Sequence, residues 1–162
     1  MGRSPAQAVD VVHDFLAQKR IAVVGVSRDD RHHPVGNLIY RRLKKTGHDV
    51  FAVHPNMQTF EGDRCYPNLK SIPSGVDGAV IITRPETTER LVRDCDDAGI
   101  RRVWMHQSMA QGTSVSPEAV DYCREHGMSV IAGGCPMMYG EGVDFGHACM
   151  RWILGLTGGL PK

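Results

Sequence analysis

The sequence has almost no excess of either charge: 19 Lys and Arg against 18 Asp and Glu leave a formal net charge of +1. The chain is not broadly basic, so nothing invites a long polyanion, and nucleic acid is not expected as a partner. Long apolar runs are also missing. Met1 to Ala6 lead into a segment carrying Asp10, His13 and Asp14, and no later stretch is long enough to span a bilayer. A membrane partner is therefore not expected, and the expected compartment is the cytoplasm. The five cysteines (Cys65, Cys95, Cys123, Cys135 and Cys149) have no CxxC spacing. An odd, scattered set suits reduced thiols and argues against a disulfide framework or a zinc site. No GxSxG elbow, HExxH motif or paired-carboxylate arrangement stands out, so no catalysis is evident.

What is present is one domain's worth of chain, 162 residues at 41% hydrophobic, with no linker or low-complexity tract. Three helical patterns close at a glycine and pass directly into an apolar strand: Gly47 before Asp49 to Val53, Gly99 before Arg102 to Met105, and Gly127 before Ser129 to Ala132. Stripes such as Val35/Leu38/Ile39/Leu43 and Leu91/Val92/Cys95/Ala98 turn one helix face to a sheet. Pro34, Pro85 and Pro117 mark first helical turns, and Thr83 and Ser116 are the expected caps beside them.

Strands are predicted near 21–26, 50–53, 79–83, 102–106 and 129–133, as continuous apolar runs buried on both faces. Alternation with helices predicts a single α/β domain: a Rossmann-like, doubly wound parallel sheet of five strands, order 3-2-1-4-5, with helices on both faces. A leading helix over about 5–18 precedes a core over about 20–135. A closing helix over about 143–157 (Phe145, Cys149, Trp152, Ile153, Leu156) follows it. Any ligand is expected outside the carboxyl ends of the strands, beside strand 1.

The loop at that place reads Gly25-Val26-Ser27-Arg28-Asp29-Asp30-Arg31-His32-His33. Gly25 lets the backbone turn closely. The N–H groups of Val26 and Ser27, with the N-terminus of the following helix, are expected to face a phosphate. The dinucleotide fingerprint GxGxxG is absent, since Ser27 and Asp30 stand where its second and third glycines would be. The end of strand 2 reads Val53-His54-Pro55-Asn56, with no acid for a ribose 2′-hydroxyl. An NAD(P)-binding oxidoreductase on a variant turn is thus the alternative reading.

The chain resembles the stand-alone coenzyme A-binding proteins, whose fold is that of the N-terminal domain of the succinyl-CoA synthetase α subunit. The resemblance is carried by Val23 to Ser27 with the arginine-bearing loop, Val53-His54-Pro55, the run Phe60 to Leu69 with Val76-Asp77, and Thr83-Arg84-Pro85-Glu86. Val103 to Ser108 and Gly134-Cys135-Pro136 continue it. It implies a CoA or acyl-CoA ligand, bound by a carrier, sensor or regulatory module without evident catalysis. The pyrophosphate would lie over Gly25, Val26 and Ser27 with Arg28 or Arg31 beside it. The adenosine end would lie by Val53, His54, Pro55 and Thr83, Arg84, Pro85, and the pantetheine would pass Gln107 and Ser108. His54 departs from the family's usual asparagine.

These residues also have simpler readings. His54 serves equally as a turn residue, Arg84 as a surface helix start, and Gln107 and Ser108 as ordinary loop. Cys135, after two glycines and before Pro136, lies either near the ligand thiol or, the favoured reading, in the core as a small hydrophobe.

Overall fold

The computed structural model describes residues 5–32, 34–109 and 112–139. The expected closing helix, and Cys149 within it, lie outside the described residues, as does His33. In chain order the elements are α1 (Pro5–Leu16), β1 (Arg20–Val24), α2 (Val35–Lys45), β2 (Asp49–Val53), β3 (Thr59–Phe60) and β4 (Asp63–Tyr66). There follow β5 (Gly78–Ile81), α3 (Pro85–Asp97), β6 (Arg102–Met105), β7 (Gln107–Ser108), β8 (Gly112–Thr113), α4 (Pro117–Glu125) and β9 (Ser129–Ala132).

The glycine endings do what their position in the sequence predicts. Gly47, Gly99 and Gly127 all have positive φ, at 90°, 74° and 66°. In each case the next residue's N–H reaches back to a carbonyl in the last helical turn: His48 to Leu43 at 3.1 Å, Ile100 to Cys95 at 2.9 Å and Met128 to Cys123 at 2.8 Å. This is one helix stop used three times, and each stop hands the chain directly to a strand. The starts follow expectation less closely. Ser116 caps α4, its hydroxyl accepting from the Ala119 N–H. Thr83 does not cap α3, whose N-cap is Arg84, and Pro34 sits at the N-cap of α2, one residue before its first turn.

The sheet corrects the expected order. It has seven strands, β3-β4-β2-β1-β5-β6-β9, not five in the order 3-2-1-4-5. The strand near 79–83 does not lie beyond strand 2; β5 pairs in parallel with β1, with Ile21 opposite Gly78 and Val24 opposite Ile81. The place beyond β2 is taken by β4, in parallel, with β3 antiparallel at the edge. If β1, β2, β4, β5, β6 and β9 are counted as 1 to 6, the parallel strands run 3-2-1-4-5-6. The sequence conceals β4 because Asp63-Arg64-Cys65-Tyr66 is four residues with two charges and no crossover helix before it. Tertiary contacts hold it: Tyr40 Oη donates to Asp63 Oδ2 at 2.6 Å and Lys44 pairs with the same carboxylate.

Apolar layers fill both faces of the sheet. One packs α1 and α2 through Val12, Phe15, Ile39, Tyr40 and Leu43 against Ile21, Val23, Val80, Trp104 and Ile131. The other packs α3 and α4 through Leu91, Val92, Cys95, Val120 and Cys123 against Ala22, Val24, Ile81, Val103 and Val130. Crossovers on opposite sides of β1 and β5 leave a crevice at their carboxyl ends. No helix among the described residues is long and apolar enough to cross a membrane.

Candidate functional site

The turn after β1 is built around Gly25, at φ 115°. A β-carbon there would stand 2.1 Å from the Ile82 carbonyl oxygen, so only glycine fits where β1 and β5 leave the sheet together. A second glycine presses on the first. A β-carbon on Gly36, in the first turn of α2, would lie 2.4 Å from the Gly25 oxygen. Gly36 thus does the work of the third glycine of a dinucleotide turn, allowing close helix–strand approach, although the longer loop places it outside that spacing.

Asn37 fixes the rest of the loop. Only 1% exposed, its side-chain amide receives the Ser27 N–H at 2.8 Å and donates to the Ser27 carbonyl at 2.9 Å and to Asp30 Oδ1 at 3.1 Å. The expectation that Ser27 turns its N–H to a phosphate is therefore not met, because that donor is engaged. What the turn still offers is the Val26 backbone and the N-terminus of α2, whose N-cap residue is Pro34. Helix N-termini of this kind carry partial positive charge and suit an anion.

The loop's cations divide into two kinds. Arg31 forks onto Asp29, with Nε to Oδ1 at 2.9 Å and Nη2 to Oδ2 at 2.6 Å, and its hydrogen bonds hold the Asp29 carboxyl below its usual range. Arg28 instead reaches across the crevice, its Nη2 donating to the Asn56 carbonyl at 3.1 Å. Arg28 and Arg84 have no carboxylate partner among the described residues. Arg84 is exposed at the start of α3, beside Pro85.

At the end of β2, Val53 is buried and accepts the Gly25 N–H at 3.4 Å. His54 is half-buried; its N–H donates to the Tyr66 carbonyl at 2.9 Å, and its Nδ1 accepts the Asn56 N–H at 3.1 Å. The turn-forming role of His54 is thus realised. Beside Pro55 opens a cavity of about 600 Å³ that Met57, Cys65 and Arg64 help to line. Arg64 was not singled out in the sequence; its guanidinium lies 5.2 Å from the Tyr66 ring centroid. A larger cavity, about 750 Å³, lies between Leu16, Leu43 and Pro136, away from the β1 turn.

The Thr83 N–H donates to Ser114 Oγ at 3.0 Å, and its hydroxyl lies 3.1 Å from that of Thr88. Gln107 and Ser108 form β7, half of a small hairpin with β8, and the Gln107 N–H donates to the Gly134 carbonyl at 3.1 Å. Cys135 is buried, and burial pushes its thiol up to about 11, which fits a packed hydrophobe. Cys65, Cys95 and Cys123 are likewise free and buried. The described residues include no group of three or more metal-ligating side chains.

Taken together, the crevice gathers Gly25, Val26, Arg28, His54 and Arg84 around the ends of β1, β2 and β5. A glycine turn, the start of α2 and two arginines with no carboxylate partner among the described residues meet where α/β domains of the doubly wound kind receive nucleotides and phosphates. Comparison with known families is specific: residues 19–141 match the CoA binding domain, and the chain belongs to that family. It is 26% identical over 122 residues to acetate–CoA ligase [ADP-forming] I of Archaeoglobus fulgidus, covering 72% of this chain and 18% of that protein. To the α subunit of acetate–CoA ligase [ADP-forming] II of Pyrococcus furiosus it is 25% identical over 127 residues, 75% of this chain and 27% of that one. The chain therefore spans less than a third of these relatives. A solved structure of a hypothetical protein from Pyrococcus horikoshii OT3 shares the fold at TM-score 0.71 and 24% identity, covering 84% of this chain and 89% of that chain.

Proposed function

We propose that the chain binds coenzyme A, free or acylated, across the carboxyl ends of β1, β2, β5 and β6, as a carrier, sensor or regulatory module without evident catalysis. The observation that carries this reading is the start of α2 seated against the Gly25 turn, with Arg28 and Arg84 nearby and no carboxylate partner for either among the described residues. The pyrophosphate is assigned to Gly25, Val26 and Ser27, where the helix start and Arg28 balance its charge, and where the Ser27 hydroxyl would turn to it from its bonds with the Asp29 backbone. Arg31, forked to Asp29, is a reserve cation at the loop rim. The adenosine end is assigned to Val53, His54 and Pro55 on one side and Thr83, Arg84 and Pro85 on the other. The arm then runs toward Gln107 and Ser108.

Membership of the CoA binding domain family and the names of the acetate–CoA ligase relatives support the same ligand. A dinucleotide is disfavoured because β2 ends in His54-Pro55-Asn56 and offers no carboxylate to a ribose diol. The buried free thiols suit a reducing compartment, and we assign the chain to the cytoplasm. A ligand that binds only the native state raises the melting temperature with ln(1 + [L]/Kd). At equal concentration CoA is expected to give a larger shift than NAD or NADP, and the purified protein to carry CoA by mass spectrometry. A larger shift with NADP would replace this reading with the oxidoreductase one.

A further inference from the structure

The end of β6 carries a polar side chain that the assignments above leave idle. His106 is 1% exposed, and its Nε2 has no hydrogen-bond partner among the described residues. A buried nitrogen left unpaired is costly, and such groups in folded proteins call for an explanation. The backbone of His106 is fixed on both sides: its N–H donates to the Ile81 carbonyl at 3.0 Å, and its carbonyl accepts the Ser114 N–H at 2.7 Å. The ring is thus set where β6 leaves the sheet. Burial lowers its pKa to about 4, so the imidazole is neutral and able to make one hydrogen bond as donor or acceptor through Nε2.

Two residues earlier, Trp104 packs into the layer that α1 and α2 cover. The neighbouring strand ends there in bare backbone. Trp104 Nε1 donates to the Gly133 carbonyl at 3.1 Å and the Gly134 carbonyl at 3.3 Å, pinning that turn. A β-carbon on Gly133 would stand 2.9 Å from Gln107 Oε1. From β1 to β6 is two strand spacings, about 10 Å, a span that an extended pantetheine arm covers from a pyrophosphate at Gly25.

We propose that His106 Nε2 is the hydrogen-bond partner of the sulfur-bearing end of the bound CoA arm, so that the end of β6 is where the thiol or its thioester carbonyl is read. The inference rests on the CoA reading above. A thiol would donate to an unprotonated Nε2, whereas a thioester carbonyl would accept from Nε2–H, so the tautomer decides which form is preferred.

The test is calorimetric titration of wild type and His106→Leu with CoA, acetyl-CoA and adenosine 3′,5′-bisphosphate, which has no arm. In parallel, ¹⁵N spectra of the wild-type imidazoles are recorded with each ligand. The substitution is expected to weaken CoA or acetyl-CoA binding about five- to tenfold and to leave the bisphosphate unchanged. The His106 Nε2 resonance is expected to move with CoA and not with the bisphosphate. A greater loss for CoA assigns the thiol, and a greater loss for acetyl-CoA the carbonyl. If CoA binds wild type while the His106 resonance stays still, or the substitution weakens all three ligands equally, the inference falls and the CoA reading stands. A wild type that binds none of the three overturns both. The spectra decide the matter even if His106→Leu does not fold.

Discussion

Gly36 lies so close to Gly25 that a β-carbon on the helix residue would come within 2.4 Å of the turn's carbonyl oxygen. The first turn of α2 is thereby seated on the loop it follows. Alanine normally stabilises a helix relative to glycine by about 1 kcal/mol, yet here its methyl would have to push backbone aside. Gly36→Ala is expected to lower stability by roughly 1–3 kcal/mol, as overpacking does, and to weaken CoA binding. Urea unfolding measures the first effect. A raised midpoint would show that helix and turn are free to separate.

Gly25→Val is expected to fail in the fold as well as in the ligand site. At φ 115° its side chain would be strained, and its β-carbon would meet the Ile82 oxygen at 2.1 Å. A loss on the order of 1–3 kcal/mol is expected from the backbone strain alone, read as a lowered melting temperature without ligand. An unshifted melting temperature with CoA binding lost would mean that the turn relaxes and that the glycine serves the ligand only.

How much of this was legible in the sequence depended on whether a signal was local. Gly47, Gly99 and Gly127 announced the three helix stops, and Ser116 announced a cap, because each acts within a few residues of itself. Strand β4 was illegible, since Asp63 and Arg64 gain their place only through Tyr40, Lys44 and the β2 edge. Among site residues, Gly25 and Arg28 stood out by position. Asn37 looked like an ordinary helical polar residue, and its capture of the Ser27 N–H depends on how α2 docks. Gly36 was hidden by the length of the loop, and His106 by its ordinary look at a strand end.

Arg84 should carry the discrimination between CoA and dephospho-CoA, which lacks only the ribose 3′-phosphate. It is exposed and has no carboxylate partner among the described residues, so one screened contact of about 1 kcal/mol is expected. Titration calorimetry should show wild type preferring CoA, the preference shrinking with added salt and vanishing in Arg84→Ala. Equal affinities for the two ligands in wild type would put that phosphate in solvent.

His106 should leave a mark on stability without any ligand. Burial lowers its pKa from 6.5 to about 4 in the folded chain, so between those values the unfolded chain holds the extra proton. Its contribution is complete above about pH 6.5 and is lost as pH falls toward and through about 4. His106→Gln, which cannot titrate, is expected to flatten the unfolding free energy over that window. Parallel curves for the two proteins would place the histidine's proton equilibrium outside the folding transition.

The Asn37 clamp on Ser27 bears on speed as well as strength. A turn that keeps its shape through its own side-chain hydrogen bonds meets an arriving phosphate already arranged, and little chain freedom is left to remove at encounter. Association should then follow ordinary docking rates, on the order of 10⁵–10⁷ M⁻¹s⁻¹, much alike for every ligand that carries the same pyrophosphate. Ligands that differ at the adenosine or at the sulfur would be told apart by residence time, the crevice admitting them equally and releasing them at different rates.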